Sequence, residues 1–314
     1  MPTLTQLRYI LALHRNGHFG RAAAECSVSQ PTLSGQLAKA EDELGVVLFD
    51  RRAKPVAATE HGRRVVRLAR EVLAAHQRLV DSADGASEVS GDFTLGIIPT
   101  LAPYVLPWFV KPFAEAFPNV RLTVLERTTD DIVRAIRAMR VDAGLVATPL
   151  DEAGVVGRTV FYDPFYIYAR QGDPLLAHGE VDVAELDGRG LWLLEDGHCF
   201  RNQVIHLCGL QARTLFSNVR FEAGSFETLR GLIDRLGGCT LIPESYARTL
   251  PVDVRLACVR PFRGPTPTRE LGLVTHRSQW KTDILDALHA TLRTHAPRSL
   301  PRVPEGTVVV PAVG

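Results

Sequence analysis

The sequence predicts an α/β protein in two parts: an almost entirely helical N-terminal part, then a longer part in which strands and helices alternate. Apolar residues recur at helical spacing through about the first 84 residues. A stretch rich in Gly, Ala and Ser over residues 84–91 interrupts this spacing. From Asp92 onward, short apolar runs typical of strands alternate with helical segments. The 314 residues suffice for about two domains of roughly 150 residues each.

The N-terminal part is predicted to hold three short helices followed by a long one. Leu7, Ile10 and Leu11 recur at helical spacing, and Thr5 is the expected N-cap of this first helix. A short Ala-rich helix follows. The residues expected to cap or end the later helices are Ser29, Gly45 and Thr59. The long helix is predicted to run from about residue 60 to residue 84.

Between the third and the long helix, residues 46–58 contain Pro55 and several basic residues and are predicted to form a two-stranded wing. The second part is predicted to form a parallel sheet with helices. Strands are expected at residues 93–98, 120–125 and 143–147, with helices up to 117 and at 130–140. The alternation is expected to continue at 165–169, 190–194, 226–236, 239–242 and 271–275, and a last helix is expected at 279–294. The Pro-rich stretch 296–314 lacks periodicity and is expected to be disordered.

Composition excludes several classes of protein. Lys and Arg number 36 against 35 Asp and Glu, which gives a net charge of +1. Five Cys are too few for a disulfide-stapled secreted scaffold. The N-terminus lacks the pattern of a signal peptide, and no run of apolar residues is long enough to span a membrane. These features predict a cytoplasmic protein with no membrane partner.

The balanced total hides a basic segment over residues 51–70. This segment contains seven basic residues and one acidic residue, Glu60, so its net charge is +6. They are Arg51, Arg52, Lys54, Arg63, Arg64, Arg67 and Arg70. A solvated helix face would explain this charge, and so would binding to the phosphates of nucleic acid.

The second and third predicted helices, joined by a tight turn, form a helix-turn-helix. The third helix begins with polar residues, which in a DNA-binding protein meet base edges in the major groove. Glutamine can bond adenine, and Ser or Thr can reach bases or phosphates. The candidate DNA-binding residues are Ser29, Gln30, Pro31, Thr32, Ser34, Gln36, Arg51 and Arg52. A helix pair that contacts another protein is the alternative.

A second motif contains Cys199 and Cys208, nine residues apart. The cationic neighbours His198 and Arg201 favour the reactive thiolate. On a helix the two Cα atoms would lie roughly 13 Å apart, whereas a disulfide needs about 4.4 to 6.8 Å. A disulfide would therefore require local refolding, and loop closure would hold the new state by roughly 3 kcal/mol. Such a bond would act as a two-state switch.

Inert structural thiols are the alternative interpretation of this pair. His198, Cys199, His206 and Cys208 could also suggest zinc, but on a helix they are too far apart to share one ion. No metal and no other cofactor is expected. The other cysteines have apolar or small neighbours and are interpreted as packing residues; they are Cys26, Cys239 and Cys258.

The string from Ala23 to Arg51 closely resembles the winged helix-turn-helix of LysR-type transcriptional regulators. The resemblance implies a linker helix that mediates dimerisation and a regulatory domain like periplasmic binding proteins, with two α/β subdomains. The implied boundaries are residues 1–59 for DNA binding, 60–91 for the linker, 92–295 for the regulatory domain and 296–314 for the tail. Subdomain I would take 92–162 and 267–295, and subdomain II would take 163–266.

The motif L-E-D-G-H-C-x-R-x-Q at residues 194–203, with the second Cys, resembles the peroxide-sensing members of that family, as does the segment 96–107. This resemblance implies that Cys199 is oxidised to a sulfenic acid and resolved by Cys208. It also implies roles near peroxide for Thr100, Thr129, His198 and Arg269. Asn202 departs from the pattern, because an Asp is typical there.

The resemblance further implies partners and an activating role at antioxidant genes. The partners would be promoter DNA, RNA polymerase, hydrogen peroxide, glutaredoxin or thioredoxin, and further copies of the chain in a homodimer or homotetramer. Two alternatives remain. The regulatory part could bind a small-molecule effector in the cleft between its subdomains. A thiol peroxidase would use the same cysteine chemistry but leaves the first 90 residues without a role, so we expect no enzyme.

Overall fold

The computed structural model describes residues 1–83, 89–186, 189–195, 197, 199–208, 223–279 and 281–311. The chain forms two compact units, one of residues 1–88 with 278–280 and the other of residues 89–277 with 281–314. None of the helices in these described ranges has the length and apolar character needed to cross a membrane.

The N-terminal unit packs its helices around a small apolar core. Its elements are α1 (Leu4–Asn16), α2 (Phe19–Glu25), α3 (Gln30–Leu44), β1 (Phe49–Asp50), β2 (Ala57–Ala58) and α4 (Glu60–Ala83). The strands β1 and β2 pair antiparallel, so the predicted wing is present. Ile10, Leu33 and Leu37 are buried in the core, as their helical spacing predicts.

Side-chain hydrogen bonds cap the N-terminal ends of several of these helices. Thr3, and not the predicted Thr5, caps α1: its hydroxyl accepts from the Gln6 backbone N–H at 3.2 Å, and the Gln6 side chain accepts from the Thr3 N–H at 2.7 Å. The predicted cap lies two residues too far along the chain. Thr3 is followed three positions later by Gln6, which completes a capping box, whereas Thr5 has no Gln or Glu at that spacing. Ser29 and Thr59 cap their helices as predicted.

The second unit alternates strands and helices. Its elements are β3 (Gly91–Ile97), α5 (Ala102–Ala116), β4 (Val120–Glu126), α6 (Thr129–Arg137), β5 (Ala143–Thr148), β6 (Val155–Ala169), α7 (Cys199–Cys208), α8 (Phe226–Leu236), β7 (Cys239–Pro243), α9 (Glu244–Ala247), α10 (Val252–Cys258), β8 (Val259–Pro261), β9 (Thr266–His276), α11 (Thr282–His295) and β10 (Thr307–Val309). The strand predicted at 190–194 forms only isolated bridges, at Leu191 and Leu194.

The sheet is mixed, which corrects the prediction of a parallel sheet. Its strand order is β4-β3-β5-β9-β6-β7, with β10 beside β9 and β8 beside β6. Strand β3 runs parallel to β4 and β5, whereas β9 runs antiparallel to β5 and β6. Strand β9 lies between the earlier strands β5 and β6 and runs in the opposite direction to both, and residue patterns within a strand do not encode that direction.

Two hydrophobic cores lie in this unit. The long strand β6 contributes to both: Phe161 belongs to the first core, and Phe165 and Ile167 belong to the second. Cys199 packs with the first core, while the next residue, Phe200, packs with the second. The start of α7 therefore lies where the two cores meet.

Residues 296–311 are ordered, which corrects the prediction of disorder for this part of the tail, whereas residues 312–314 lie outside the described residues. Strand β10 pairs parallel to β9, with Thr307 opposite Thr266, and Leu300 and Val310 are buried. The tail prediction was wrong because prolines remove helical periodicity but still permit a short edge strand and the burial of single apolar side chains.

Candidate functional site

The N-terminal end of α3 presents polar side chains to solvent. The predicted DNA-binding residues of this helix that are exposed are Ser29, Gln30, Pro31, Thr32 and Gln36. Ser34 is half-buried, and Leu33 and Leu37 bury the opposite face. The Gln36 side-chain oxygen accepts from Gln6 at 3.1 Å, which ties α3 to α1. This arrangement suits a helix that enters a DNA groove by its N-terminal end.

The predicted phosphate-binding residues Arg51 and Arg52 are both exposed beside the wing. Arg51 Nη2 forms an ion pair with Glu41 at 2.7 Å, and its guanidinium lies over the Phe19 ring. The other exposed residues of the basic segment are Lys54, Arg63, Arg64 and Arg67, whereas Arg70 is half-buried. Most of the positive charge of this segment therefore faces solvent.

The long helix α4 also exposes apolar side chains. They are Leu68, Val72, Leu79 and Val80. Leu68, Val72 and Leu79 follow one another at intervals of four and seven residues, so they lie along one face of the helix. This row of exposed apolar side chains is a candidate interaction face.

In the second unit, Cys199 is the first residue of α7 and is buried. Burial raises the pKa of its thiol. The positive charge of Arg269 is the largest opposing influence on this pKa, and the nearby Thr129 hydroxyl lowers it further. The structure thus differs from the expectation that local neighbours favour the thiolate, because removal of the thiol from water outweighs the charge beside it.

Arg269 itself is completely buried and is held by Asp163 and Thr100. Its Nη2 and Nε donate to one Asp163 carboxylate oxygen at 2.8 and 3.1 Å. Its Nη1 donates to the Thr100 hydroxyl at 3.1 Å. Ser245 completes the network, donating to Asp163 from its N–H at 2.9 Å and its hydroxyl at 2.8 Å. A fixed positive charge, held by hydrogen bonds to Asp163 and Thr100, therefore lies near the thiol.

Thr129, the first residue of α6, lies beside the thiol. Its hydroxyl is buried and forms no hydrogen bond of ordinary geometry within the described part of the chain. A buried hydroxyl normally finds a partner. Thr129, Cys199 and Asn202 line one cavity of about 820 Å³. The hydroxyl is therefore free to bond a small polar molecule that enters beside the sulfur.

Not every predicted site residue joins this cluster. Arg201 donates from Nη1 to the Leu194 carbonyl oxygen at 3.0 Å, which braces the segment before α7. His198 lies outside the described residues, as does the side chain of Cys208, although the backbone of Cys208 ends α7. The alternative zinc site would use His198 and Cys208, so two of its side chains also lie outside the described residues. Cys239 and Cys258 are buried and form no disulfide within the described residues.

Sequence reasoning missed Asp163, the ionic partner of Arg269. A signal was present: Asp163 is the lone acid in an apolar run from Val160 to Tyr168. A charged residue inside a buried strand is almost always paired. The pattern thus indicated a buried cation but could not identify it, since Arg269 lies 106 positions further along the chain.

Comparisons with known proteins cover both units. Residues 4–63 match a family model described as "Bacterial regulatory helix-turn-helix protein, lysR family", and residues 86–297 match the "LysR substrate binding domain". The hydrogen peroxide-inducible genes activator of Haemophilus influenzae is 33% identical over 272 residues, which are 86% of this chain and 89% of that protein.

Solved structures are also similar to this chain, among them the two that follow. A full-length OxyR variant from Pseudomonas aeruginosa is 32% identical, with a TM-score of 0.77 over 94% of this chain and 99% of that chain. A hydrogen peroxide-bound OxyR mutant from Corynebacterium glutamicum is 28% identical, with a TM-score of 0.61 over 94% of this chain and 92% of that chain.

Proposed function

Because the chain belongs to the LysR family of transcriptional regulators, we propose that it senses hydrogen peroxide through Cys199 and passes the signal to bound DNA. The observation that carries this proposal is the position of the Cys199 thiol at a cavity wall, near the fixed charge of Arg269 and the Thr129 hydroxyl, which has no hydrogen-bond partner within the described residues. Peroxide is small and polar, and it can both donate and accept hydrogen bonds.

The first chemical step is attack of the Cys199 thiolate on one oxygen of hydrogen peroxide. The O–O bond breaks, the sulfur becomes a sulfenic acid, and the second oxygen leaves as hydroxide, which takes up a proton to form water. Arg269 stabilises the thiolate. The Thr100 hydroxyl already accepts from Arg269, so its proton is available to peroxide, and Thr129 offers a second hydroxyl. We assign His198 and Arg201 supporting roles in thiolate activation.

The second step is attack of the Cys208 thiolate on the sulfenic sulfur, which forms a disulfide and releases hydroxide. Cys199 and Cys208 are the first and last residues of α7, so their Cα atoms are about 13 Å apart. A disulfide needs Cα atoms within about 7 Å. The helix must therefore unwind, and this refolding is the signal that reaches the rest of the regulator.

The DNA-binding role rests on the polar end of α3 and the basic segment. Gln30 and Thr32 would read bases, while Arg52 and its basic neighbours would contact phosphates of the promoter. The apolar face of α4, with Leu68 and Val72, would pair with a second copy of the chain, giving a homodimer that assembles further into a homotetramer. Activation would proceed through RNA polymerase in the cytoplasm, and glutaredoxin or thioredoxin would reduce the disulfide.

Cys199→Ser tests this function, with Cys258→Ser as the matched control, because both thiols are buried and burial raises the pKa of each. The full chain is treated with one equivalent of hydrogen peroxide, then analysed by peptide mass spectrometry and DNA footprinting at fixed salt. We expect the wild type and the control to give a linked Cys199–Cys208 peptide and a changed footprint. A changed footprint in Cys199→Ser would overturn the proposal.

A small-molecule effector is the second candidate, and the size of the cavity favours it. About 820 Å³ is far more than peroxide needs and lies within the range of typical ligand pockets. Under this alternative, Cys199→Ser would retain the full response of the wild type at the promoter. The same variant therefore separates the two functions.

A further inference from the structure

The end of the described chain lies beside the strand that carries Arg269. In β10, Val309 is opposite Thr268 of β9. One residue further on, the N–H of Val310 donates to the Thr268 carbonyl oxygen at 2.8 Å. Thr268 directly precedes Arg269. Residues 306–311, which we name the C-terminal strap, are therefore anchored next to Arg269, whose charge lies near the thiol.

The same strap contacts α7. Gln203 Nε2 donates to the Val310 carbonyl oxygen at 2.9 Å. Gln203 is fully buried and Val310 is nearly so. The following residue, Pro311, lines the cavity together with Cys199 and Asn202. The middle of α7 is thus joined through one buried hydrogen bond to a segment that is itself hydrogen-bonded to the sheet.

We propose that the C-terminal strap is a positioning element for α7, and that it sets the equilibrium between the two thiols and the Cys199–Cys208 disulfide. This inference rests on the proposed function, since it concerns the same disulfide. Gln203 and Val310 act on that equilibrium through the helix and take no part in the chemistry at sulfur.

The physical reason is that the disulfide and the hydrogen bond compete. Gln203 lies four residues after Cys199, in the middle of the segment that must unwind when the disulfide closes. Unwinding separates Gln203 from the Val310 carbonyl and exposes both groups. The bond therefore stabilises only the reduced protein, and its removal should favour the disulfide by about three- to ten-fold, the range for a single buried hydrogen bond.

Two variants remove the bond in different ways, in the full chain with its DNA-binding unit. A chain that ends at Glu305 lacks the whole strap. Gln203→Met keeps a side chain of similar volume but removes the donor. The matched control is a chain that ends at Pro311, which retains β10 and the Val310 carbonyl. Circular dichroism of each reduced protein checks that it is folded.

Each protein is equilibrated in buffers of reduced and oxidised glutathione, then quenched with acid, alkylated and analysed by mass spectrometry. Two thiols lose two electrons and two protons to form the protein disulfide, while oxidised glutathione gains them to form two molecules of reduced glutathione. We expect both variants to shift the equilibrium constant three- to ten-fold toward the protein disulfide, and the control to match the wild type. A ten-fold shift corresponds to about 30 mV for this two-electron couple.

Equal equilibrium constants in wild type and Gln203→Met would overturn the role of the strap, even if the chain ending at Glu305 failed to fold. If the proposed function were wrong, the outcome would differ, because the wild type itself would form no Cys199–Cys208 disulfide in any buffer. Because peroxide is absent from this assay, a change in peroxide binding cannot produce the shift.

Discussion

Removal of the Arg269 guanidinium is expected to destabilise the second unit strongly. Arg269→Met preserves much of the side-chain volume but deletes the charge. Asp163 would then remain completely buried as a carboxylate with only the two donors of Ser245. Breaking a buried ion pair by removing one partner costs about 3–5 kcal/mol, because the remaining charge is desolvated without compensation.

The matched control is Arg158→Met. Arg158 also forms an ion pair, with Asp286, but both side chains of this pair are more than half exposed. Exposed pairs contribute about 0–1 kcal/mol. The structure therefore predicts a difference of about 3 kcal/mol between two substitutions of identical chemistry, and a melting temperature lower by roughly 10 °C for Arg269→Met in a unit of this size.

Urea unfolding of the reduced protein, followed by tryptophan fluorescence, measures both free energies of unfolding. Adding Asp163→Asn to Arg269→Met removes the unpaired carboxylate charge and should restore part of the lost free energy of unfolding. If Arg269→Met cost no more than Arg158→Met, the buried network would contribute nothing beyond an exposed pair, and our account of the charge behind the thiol would be refuted.

Three further predictions concern separate parts of the molecule. Since burial raises the pKa of Cys199, its rate of oxidation by peroxide in stopped-flow experiments should climb with pH through neutrality, and a plateau below neutral pH would contradict this. Gly62→Ala should destabilise the N-terminal unit in thermal melts because the added Cβ would overlap the Leu48 carbonyl oxygen, whereas Gly35→Ala, with open space around it, should not. Arg52→Ala should lower the salt dependence of DNA binding by about one phosphate contact in fluorescence anisotropy, and an unchanged slope would remove Arg52 from the interface.

Local patterns were enough to predict most of the N-terminal unit. The apolar positions of α1 and α3 recur at helical spacing, and Ser29 and Thr59 cap their helices because each side chain bonds a backbone N–H within three residues. These interactions are short-range, so the sequence displays both partners side by side. The one misplaced cap, Thr5 in place of Thr3, came from two threonines competing within the same turn.

The cysteine motif was also visible, since Cys199, Cys208 and their neighbours are close in sequence and α7 spans the pair as expected. The remaining members of the cluster are far apart along the chain. Thr100, Thr129 and Arg269 were inferred only through family resemblance, and Asp163 was missed. Spacing cannot reveal such partners, because strands from distant segments bring them together.

The sequence by itself determined the two-part organisation, the helix-turn-helix and the cysteine pair, because each depends on periodicity and contacts within a few residues. Only the tertiary structure decided the mixed direction of the sheet, the raised pKa of the Cys199 thiol and the packing of the tail against α7. Strand direction, desolvation and the burial of Val310 all depend on which distant segments become neighbours, and that information arises only when the whole unit folds.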